Sequence, residues 1–332
     1  MQILVTGGGG FLGTAICRAL VERGDAVRSL SRGPHPALAA LGVEHRRGDL
    51  ADAEAVAAAI EGVDAVIHTA ALAGVWGDER AYFAANLTGT VNVLTAMRRH
   101  GVGRLVYTST PSVVQTDSGC EGGDASTPYA LATRTAYQRS KIAAEQAVVA
   151  ANGADLSTVA LRPRLIFGPG DPHIAPRLAE RSRAGRLARV GAGNPLVDAT
   201  YVDNAASAHL AALDRLAPGA ALCGRAYFVS NGEPWPLWDL IAELLDAVGA
   251  PPVRRQVPAG VAFAAGALCE VLWTALPLGG EPPMTRFLAR QLSTANWYDI
   301  SETCRDLGWQ PGVNMKEGIA RLRQASGGRA GG

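Results

Sequence analysis

The stretch Gln2-Ile3-Leu4-Val5-Thr6-Gly7-Gly8-Gly9-Gly10-Phe11-Leu12-Gly13 decides the fold. A short apolar run of buried-strand type leads directly into a glycine cluster, and the pattern from Phe11 to Arg23 is helical. Gly7, Gly10 and Gly13 are spaced three apart. Missing side chains at those positions let the chain turn tightly and let its backbone approach a pyrophosphate at a helix N-terminus. Gly9, Phe11 and Leu12 belong to the same dinucleotide-contacting loop.

Outward from this stretch, strands and helices alternate. Ile3-Val5, Ala26-Leu30, Ala65-Ile67, Leu105-Tyr107 and Thr158-Leu161 read as buried parallel strands. Helical patterns lie between them at about Phe11-Arg23, Ala53-Ile60, Ala81-Arg99 and Tyr137-Ala151. The rhythm predicts an α/β chain, a doubly wound parallel sheet of Rossmann type. After Leu161 the rhythm breaks at Arg162-Pro163 and Phe167-Gly168-Pro169-Gly170-Asp171-Pro172. The expected division assigns 1–162 and 198–230 to a dinucleotide-binding domain. Residues 163–197 and 231–326 form a smaller, mainly helical C-terminal substrate lobe, and 327–332 a Gly-rich disordered tail.

Composition narrows the function. The chain has 332 residues, a formal net charge of +1 and 48% hydrophobic residues, ample for a core and without the basic footprint of a nucleic-acid binder. Cys17, Cys120, Cys223, Cys269 and Cys304 are scattered, which predicts free thiols in a reducing, cytoplasmic setting. The strand-like start at Gln2 predicts that no signal peptide precedes the fold. The histidines (His35, His45, His68, His100, His173, His209) show no ligand spacing, so metal catalysis is not expected. Ala259 to Leu276, ending at Pro277, is apolar apart from Glu270 and Thr274. A buried helix beside a greasy substrate, or a contact with a membrane surface or a pathway partner, fits this stretch better than a transmembrane span.

The end of the second strand bears on cofactor choice. Sites for NAD(H) commonly place an acid there; this chain has Leu30-Ser31-Arg32. Ser31 and Arg32 suit a 2′-phosphate, which favours NADP(H) over NAD(H), the alternative being that Arg32 is a solvated loop residue. Asp49-Leu50 is placed to meet adenine, and the small Ala70-Ala71 to pass beneath the phosphates. Downstream, Tyr137-Gln-Arg-Ser-Lys141 puts a phenol and an ammonium one helical turn apart. An ammonium beside a phenol is expected to lower the phenol's pKa and make it a proton donor and acceptor near neutral pH.

The glycine motif, Tyr107-Thr108-Ser109-Thr110 and Tyr-x-x-x-Lys, in this order, resemble the extended short-chain dehydrogenase/reductases over almost the whole chain. The resemblance implies that Tyr137 is the general acid and base, and that Lys141 holds the nicotinamide ribose and depresses the tyrosine pKa. The family's catalytic serine falls on Thr110, with adjacent Ser109 able to share or take the role. Asn86 matches an asparagine of the active-site network, and Pro163 and Ile166 the stretch lining the nicotinamide. Proteins of this fold that bind a dinucleotide without turnover, as sensors, commonly lack the tyrosine-lysine pair. In the second half, Leu161 to Pro172, Asn194 to Asp198, and Pro282-Pro283-Met284-Thr285-Arg286 are similar to 3β-hydroxysteroid and sterol-4α-carboxylate 3-dehydrogenases. Leu292 to Ile300 looks like the bacterial reductases of 2-alkyl-3-oxo acids in long-chain olefin biosynthesis. Either group implies a hydrophobic acid as substrate, with Arg162, Arg164 or Arg177 as candidates for its carboxylate. The Ala143, Ala147 and Ala151 stripe matches the helix on which the family often builds a homodimer, the alternative being packing on its own sheet.

Overall fold

The computed structural model describes residues 1–276 and 278–327. The chain begins with β1 (Gln2–Thr6), α1 (Phe11–Glu22), β2 (Ala26–Ser31), α2 (Pro36–Ala40), β3 (Glu44–Arg47), α3 (Ala53–Ile60) and β4 (Ala65–His68). It continues through α4 (Glu79–Phe83), a π-helical turn (Ala84–Thr88), α5 (Gly89–His100), β5 (Arg104–Thr108), β6 (Cys120–Gly123), α6 (Ala136–Ala150) and β7 (Ser157–Pro163). Next come β8 (Ile166–Phe167), α7 (Ile174–Arg183), β9 (Ala188–Val190), β10 (Leu196–Val197), β11 (Thr200–Tyr201), α8 (Val202–Arg215) and β12 (Arg225–Val229). The C-terminal part holds β13 (Trp235–Pro236), α9 (Leu237–Ala247), β14 (Arg255–Val257), α10 (Ala259–Ala275), α11 (Arg286–Gln291), β15 (Asn296–Tyr298), α12 (Ser301–Leu307) and α13 (Met315–Gly327).

Seven strands form one sheet in the order β12-β7-β5-β4-β1-β2-β3, with every neighbouring pair parallel. Alternating side chains divide its two faces. Ile3 and Val5 of β1 join Ile16 and Leu20 of α1 and Leu213 of α8 in one core. Leu4 between them joins Val56 and Ile60 of α3, Val93 of α5 and Val148 of α6 in the other. Because both faces are covered, β7 is buried along its full length, which explains its continuous apolar reading. The order reverses between β1 and β4, so a crevice opens beyond the carboxyl ends of these strands, where doubly wound sheets bind ligands.

Two differences from the expected elements bear on the site. The predicted helix Ala81-Arg99 is interrupted by the π-helical turn at Ala84–Thr88. Cys120–Gly123, inside the first half, pairs with β15 in a four-stranded sheet ordered β13-β10-β15-β6. That pairing ties the loop after β5 to the C-terminal lobe. Of the expected tail, Gly327 ends α13, and 328–332 lie outside the described residues. All five cysteines are free thiols.

Candidate active site

The glycine loop has the shape a dinucleotide needs. Gly7 adopts φ +69, and a Cβ there would stand 2.8 Å from the Ala70 Cα, so the loop after β4 packs directly on the loop after β1. A Cβ at Gly13 would collide with the Gly7 carbonyl oxygen, and one at Gly9 with the His35 ring. The turn closes through Gly10 N–H donating to the Gly7 carbonyl at 2.9 Å. Gly10 is the N-cap of α1 without a capping side chain, and no acid stands in the first turn. The amides of Phe11, Leu12 and Gly13 therefore point outward without helical partners, as an anion-binding helix N-terminus requires. These features fit a pyrophosphate.

At the end of β2, the Ser31 hydroxyl shares a 2.8 Å hydrogen bond with His45 Nε2. Arg32 is exposed and its guanidinium has no acid partner among the described residues. Arg47 donates to the Arg32 carbonyl at 3.1 Å, adding a second exposed arginine to this corner. Asp49 is exposed beyond β3, where its carboxylate accepts from Ala51 N–H, and half-buried Leu50 packs toward Gly89 of α5. Pro163 ends β7, and half-buried Ile166 lies in β8.

The catalytic candidates converge from three elements. Thr110 caps a single 3-10 turn, and its hydroxyl pairs with the Ser112 hydroxyl at 2.9 Å. Tyr137 sits in the first turn of α6, started by Thr135, whose hydroxyl accepts from Gln138 N–H at 3.1 Å. Burial pushes the Tyr137 phenol above its ordinary pKa, while a hydrogen bond with the Thr110 hydroxyl pulls the other way. Of the two candidate hydroxyls, Thr110 acts on the phenol's pKa, and its own hydrogen-bond partner is Ser112. The Ser109 hydroxyl is buried without a partner, and its N–H donates to Leu161 at 2.6 Å. Asn86 lies in the π-helical turn, accepts from Leu72 N–H at 2.7 Å and donates to the Leu72 carbonyl and the Ser140 hydroxyl at 3.0 and 2.9 Å. The extra residue in the turn brings this amide inward, a common use of π-bulges at functional sites.

Lys141 corrects one expectation. Its ammonium donates to the Tyr107 hydroxyl at 2.6 Å and to the Thr108 carbonyl at 2.8 Å, with Tyr137 absent from its hydrogen-bond partners. The tyrosine pKa is accordingly raised, not depressed, because desolvation outweighs the hydrogen bond from Thr110. Burial also lowers Lys141 to about 7, against an opposing pull from Glu145.

Several supporting residues carry no motif. Tyr107 is an ordinary strand residue until α6 brings Lys141 over its ring, 4.2 Å from the centroid. His68 bridges Thr6 at 2.6 Å and Thr90 at 3.0 Å, and His209 pairs with Thr108 at 2.8 Å. Burial holds His68 and His209 well below the usual histidine pKa, to about 3 and about 4, so both act as neutral struts. Tyr82 packs edge-on to Tyr137 with ring centres 6.2 Å apart and donates to the Trp76 carbonyl at 3.0 Å. Spacing offered no signal for these partners, since each pair is joined only by the fold.

Beside the start of α6 lies a cleft of about 500 Å³ lined by Val75, Trp76, Thr135, Val271 and Phe287 together with Arg134 and Arg286. Arg134 is paired with Asp117, and Arg286 with Glu270 at 2.6 Å. Of the arginines singled out from sequence, Arg162 is spent in a buried bidentate pair with Glu145 at 2.6 Å. Arg177 is exposed and faces Glu281 at 3.4 Å, and Arg164 donates to Gln291 at 2.8 Å. A second groove of about 640 Å³ lies between α1 and α8, and neither it nor the cleft is lined by Thr110, Tyr137, Lys141 or Asn86. Ala151, which caps the C-terminus of α6, is buried, and Ala147 packs on the protein's own core.

Residues 4–258 match the 3-beta hydroxysteroid dehydrogenase/isomerase family. A 2-alkyl-3-oxoalkanoate reductase of Stenotrophomonas maltophilia is 55% identical over 328 residues, covering 98% of this chain and 99% of that one. One from Shewanella oneidensis is 44% identical over 327 residues, covering 96% and 84%. Among solved structures, the Thermus thermophilus UDP-glucose 4-epimerase in complex with NAD superposes with a TM-score of 0.74 at 27% identity, covering 99% of each chain. With its glycine loop and full-length similarity, the chain belongs to the 3-beta hydroxysteroid dehydrogenase/isomerase family and is an oxidoreductase of the short-chain dehydrogenase/reductase type that uses a nicotinamide dinucleotide.

Proposed function

We propose that the protein reduces the ketone of a 2-alkyl-3-oxo acid to the 2-alkyl-3-hydroxy acid, reversibly and with NADPH, as a step toward long-chain olefins. The observation that carries this reading is the cleft at the start of α6, reached by Thr135, whose walls combine Val75, Trp76, Val271 and Phe287 with Arg134, Arg286 and Glu270. An alkyl chain suits the apolar set, and a substrate carboxylate would have to replace Asp117 on Arg134 or Glu270 on Arg286, both pairs being less buried than Arg162–Glu145. The two relatives bearing the name of that activity match almost this entire chain.

The cofactor would lie on Gly7, Gly9, Gly10, Phe11, Leu12 and Gly13, with Ala70 and Ala71 beneath it, Asp49 and Leu50 toward adenine, and Pro163 and Ile166 toward the nicotinamide. Ser31 and Arg32 favour the phosphorylated form, with Arg47 adding positive charge at the same corner. The bound dinucleotide supplies the hydride. Tyr137, kept protonated by its raised pKa, gives its proton to the oxygen on which negative charge develops. The Thr110 hydroxyl orients that phenol and stabilises the same oxygen. Lys141 uses two of its three donors on Tyr107 and the Thr108 carbonyl, leaving one for a ribose hydroxyl. Asn86 acts through Ser140 and the Leu72 backbone as a positioning residue.

The match of residues 4–258 to the steroid family favours a second reading, NAD(P)-dependent 3β-hydroxysteroid or sterol-4α-carboxylate dehydrogenation in the same cleft. NADPH oxidation measured with 2-alkyl-3-oxo acids, 3-ketosteroids and sugar nucleotides separates the two. Turnover of the oxo acids is the expected result, and turnover of steroids alone would replace the first reading by the second.

A further inference from the structure

Five buried side chains, Thr6, His68, Thr90, Tyr107 and Lys141, cluster between the glycine loop and α6. The sheet register sets three of them side by side. Thr6 of β1 lies opposite His68 of β4, and His68 lies opposite Tyr107 of β5. Paired residues of parallel strands point to the same face, so the three are neighbours across the sheet. The His68 and Tyr107 rings stand 5.5 Å apart. Lys141 reaches over the Tyr107 ring and donates to its hydroxyl at 2.6 Å.

The hydrogen bonds around His68 have a fixed direction. The Thr90 hydroxyl donates its single proton to the Asn86 carbonyl at 2.6 Å, so its oxygen accepts from His68 Nε2–H at 3.0 Å. His68 Nδ1 is then an acceptor, and the Thr6 hydroxyl donates to it at 2.6 Å. The Thr6 hydroxyl oxygen faces Ala70 N–H at 3.4 Å, and the Thr69 hydroxyl donates to the Thr6 carbonyl at 2.7 Å. Each side of the imidazole therefore serves a different part of the site. Nδ1 holds Thr6, the last residue before Gly7, together with the loop after β4 that packs on Gly7. Nε2 holds Thr90 and, through it, the π-helical turn that carries Asn86. A protonated imidazole would present a second N–H to Thr6 and reverse that bond. Burial, and after it the Lys141 ammonium, oppose such a charge.

We propose that His68, as its Nε2–H tautomer, is a positioning residue for hydride transfer that holds the glycine loop, the Asn86 turn and the Tyr107 support of Lys141 in one register. The pyrophosphate of a dinucleotide is bonded to the nicotinamide ribose. The spacing between the glycine loop and Lys141 therefore sets where the nicotinamide ring lies. A histidine suits the central place because one flat ring offers an acceptor on one side and a donor on the other. The role rests on Lys141 holding the nicotinamide ribose, the reading proposed for it, and is the same whichever ketone is reduced.

The test compares His68→Phe, which keeps a flat ring without hydrogen bonds, with His68→Gln, whose amide keeps a donor and an acceptor. Turnover is read with NADPH and whichever of the 2-alkyl-3-oxo acids and 3-ketosteroids the wild type reduces. Rates are compared per folded molecule, with thermal unfolding giving the folded fraction. His68→Phe should lower kcat about 10²-fold, the scale of a small misplacement of reacting groups, and should raise KM for NADPH while leaving KM for the ketone unchanged. His68→Gln should recover most of that loss. Ring-nitrogen NMR of the wild type should show His68 as the Nε2–H tautomer, without titration between about pH 5 and 8. A wild-type kcat in His68→Phe, an equally low kcat in His68→Gln, or an Nδ1–H or titrating His68 overturns the proposal. Lys141→Met tells the two readings apart. If its KM for NADPH stays at the wild-type value, Lys141 does not hold the ribose and the role of His68 falls with it. A raised KM there beside an unaffected His68→Phe overturns the role of His68 alone.

Discussion

Helices α6 and α10 are both alanine-rich, yet their burial is the reverse of what composition suggests. The six buried residues of α6 include Gln138, Ser140, Lys141 and Glu145, whereas the apolar α10 buries only Ala262 and Gly266. The difference lies in what surrounds each helix. Glu145 meets Arg162 at 2.6 Å and Lys141 meets Tyr107, so the polar groups of α6 exchange water for fixed partners. Helix α10 touches the rest of the lobe mainly through α11, where Gly266 allows the Thr285 and Arg286 backbone to approach. The two helices show that burial follows the supply of partners and that hydrophobicity alone does not ensure it.

The largest effect expected on α6 is catalytic. Tyr137→Phe should lower turnover by about 10³-fold with cofactor affinity retained, the scale of lost proton transfer. Unchanged turnover in a steady-state assay would remove the phenol from the mechanism. Next comes the buried pair: Glu145→Ala, by stranding Arg162, should cost about 3–5 kcal/mol in urea unfolding. A small loss there would mean that α6 is held as loosely as α10.

Lys141 makes the cost of a buried charge readable through pH. Burial lowers its pKa from 10.5 to about 7, so between these values the unfolded chain binds the extra proton. Stability should therefore rise with pH from about 7 to 10.5, and Lys141→Met should lose that component of the rise. At the exposed corner of β2, Arg32→Ala should weaken NADPH about tenfold while leaving NADH nearly unchanged, as loss of a phosphate partner predicts. Equal weakening of both would count against a phosphate contact, and no weakening of either would assign Arg32 to the solvated loop. The smallest effect belongs to α10, where Leu268→Glu should shift unfolding by less than about 0.5 kcal/mol, as for other surface positions. A large destabilisation would show that this face packs against protein.

Much of the sheet and the glycine turn was legible because local patterning and backbone requirements coincide there. Strands buried on both faces read as apolar runs, and Gly7, Gly10 and Gly13 sit where side chains would collide or where the helix opens. Thr110 and Tyr137 were singled out through the family resemblance, and the fold sets Thr110 where its hydroxyl pairs with Ser112 and influences the tyrosine. The partner of Lys141 was not readable, because Tyr107 comes within reach only when α6 packs on β5. The π-helical turn at Asn86 was hidden as well, since its residues fit an ordinary helical period.

By itself, the sequence determined the alternating architecture and the glycine turn, set by short-range patterning and by the steric freedom of glycine, and it put Tyr137 and Lys141 one helical turn apart. Tertiary structure alone decided which groups those residues address. It turned Lys141 toward Tyr107, spent Arg162 on Glu145, brought Arg134 and Arg286 to the cleft, and left an apolar helix facing outward. The physical reason is that hydrogen bonds, desolvation and ion pairing depend on distances between segments far apart in the chain, which local spacing does not specify.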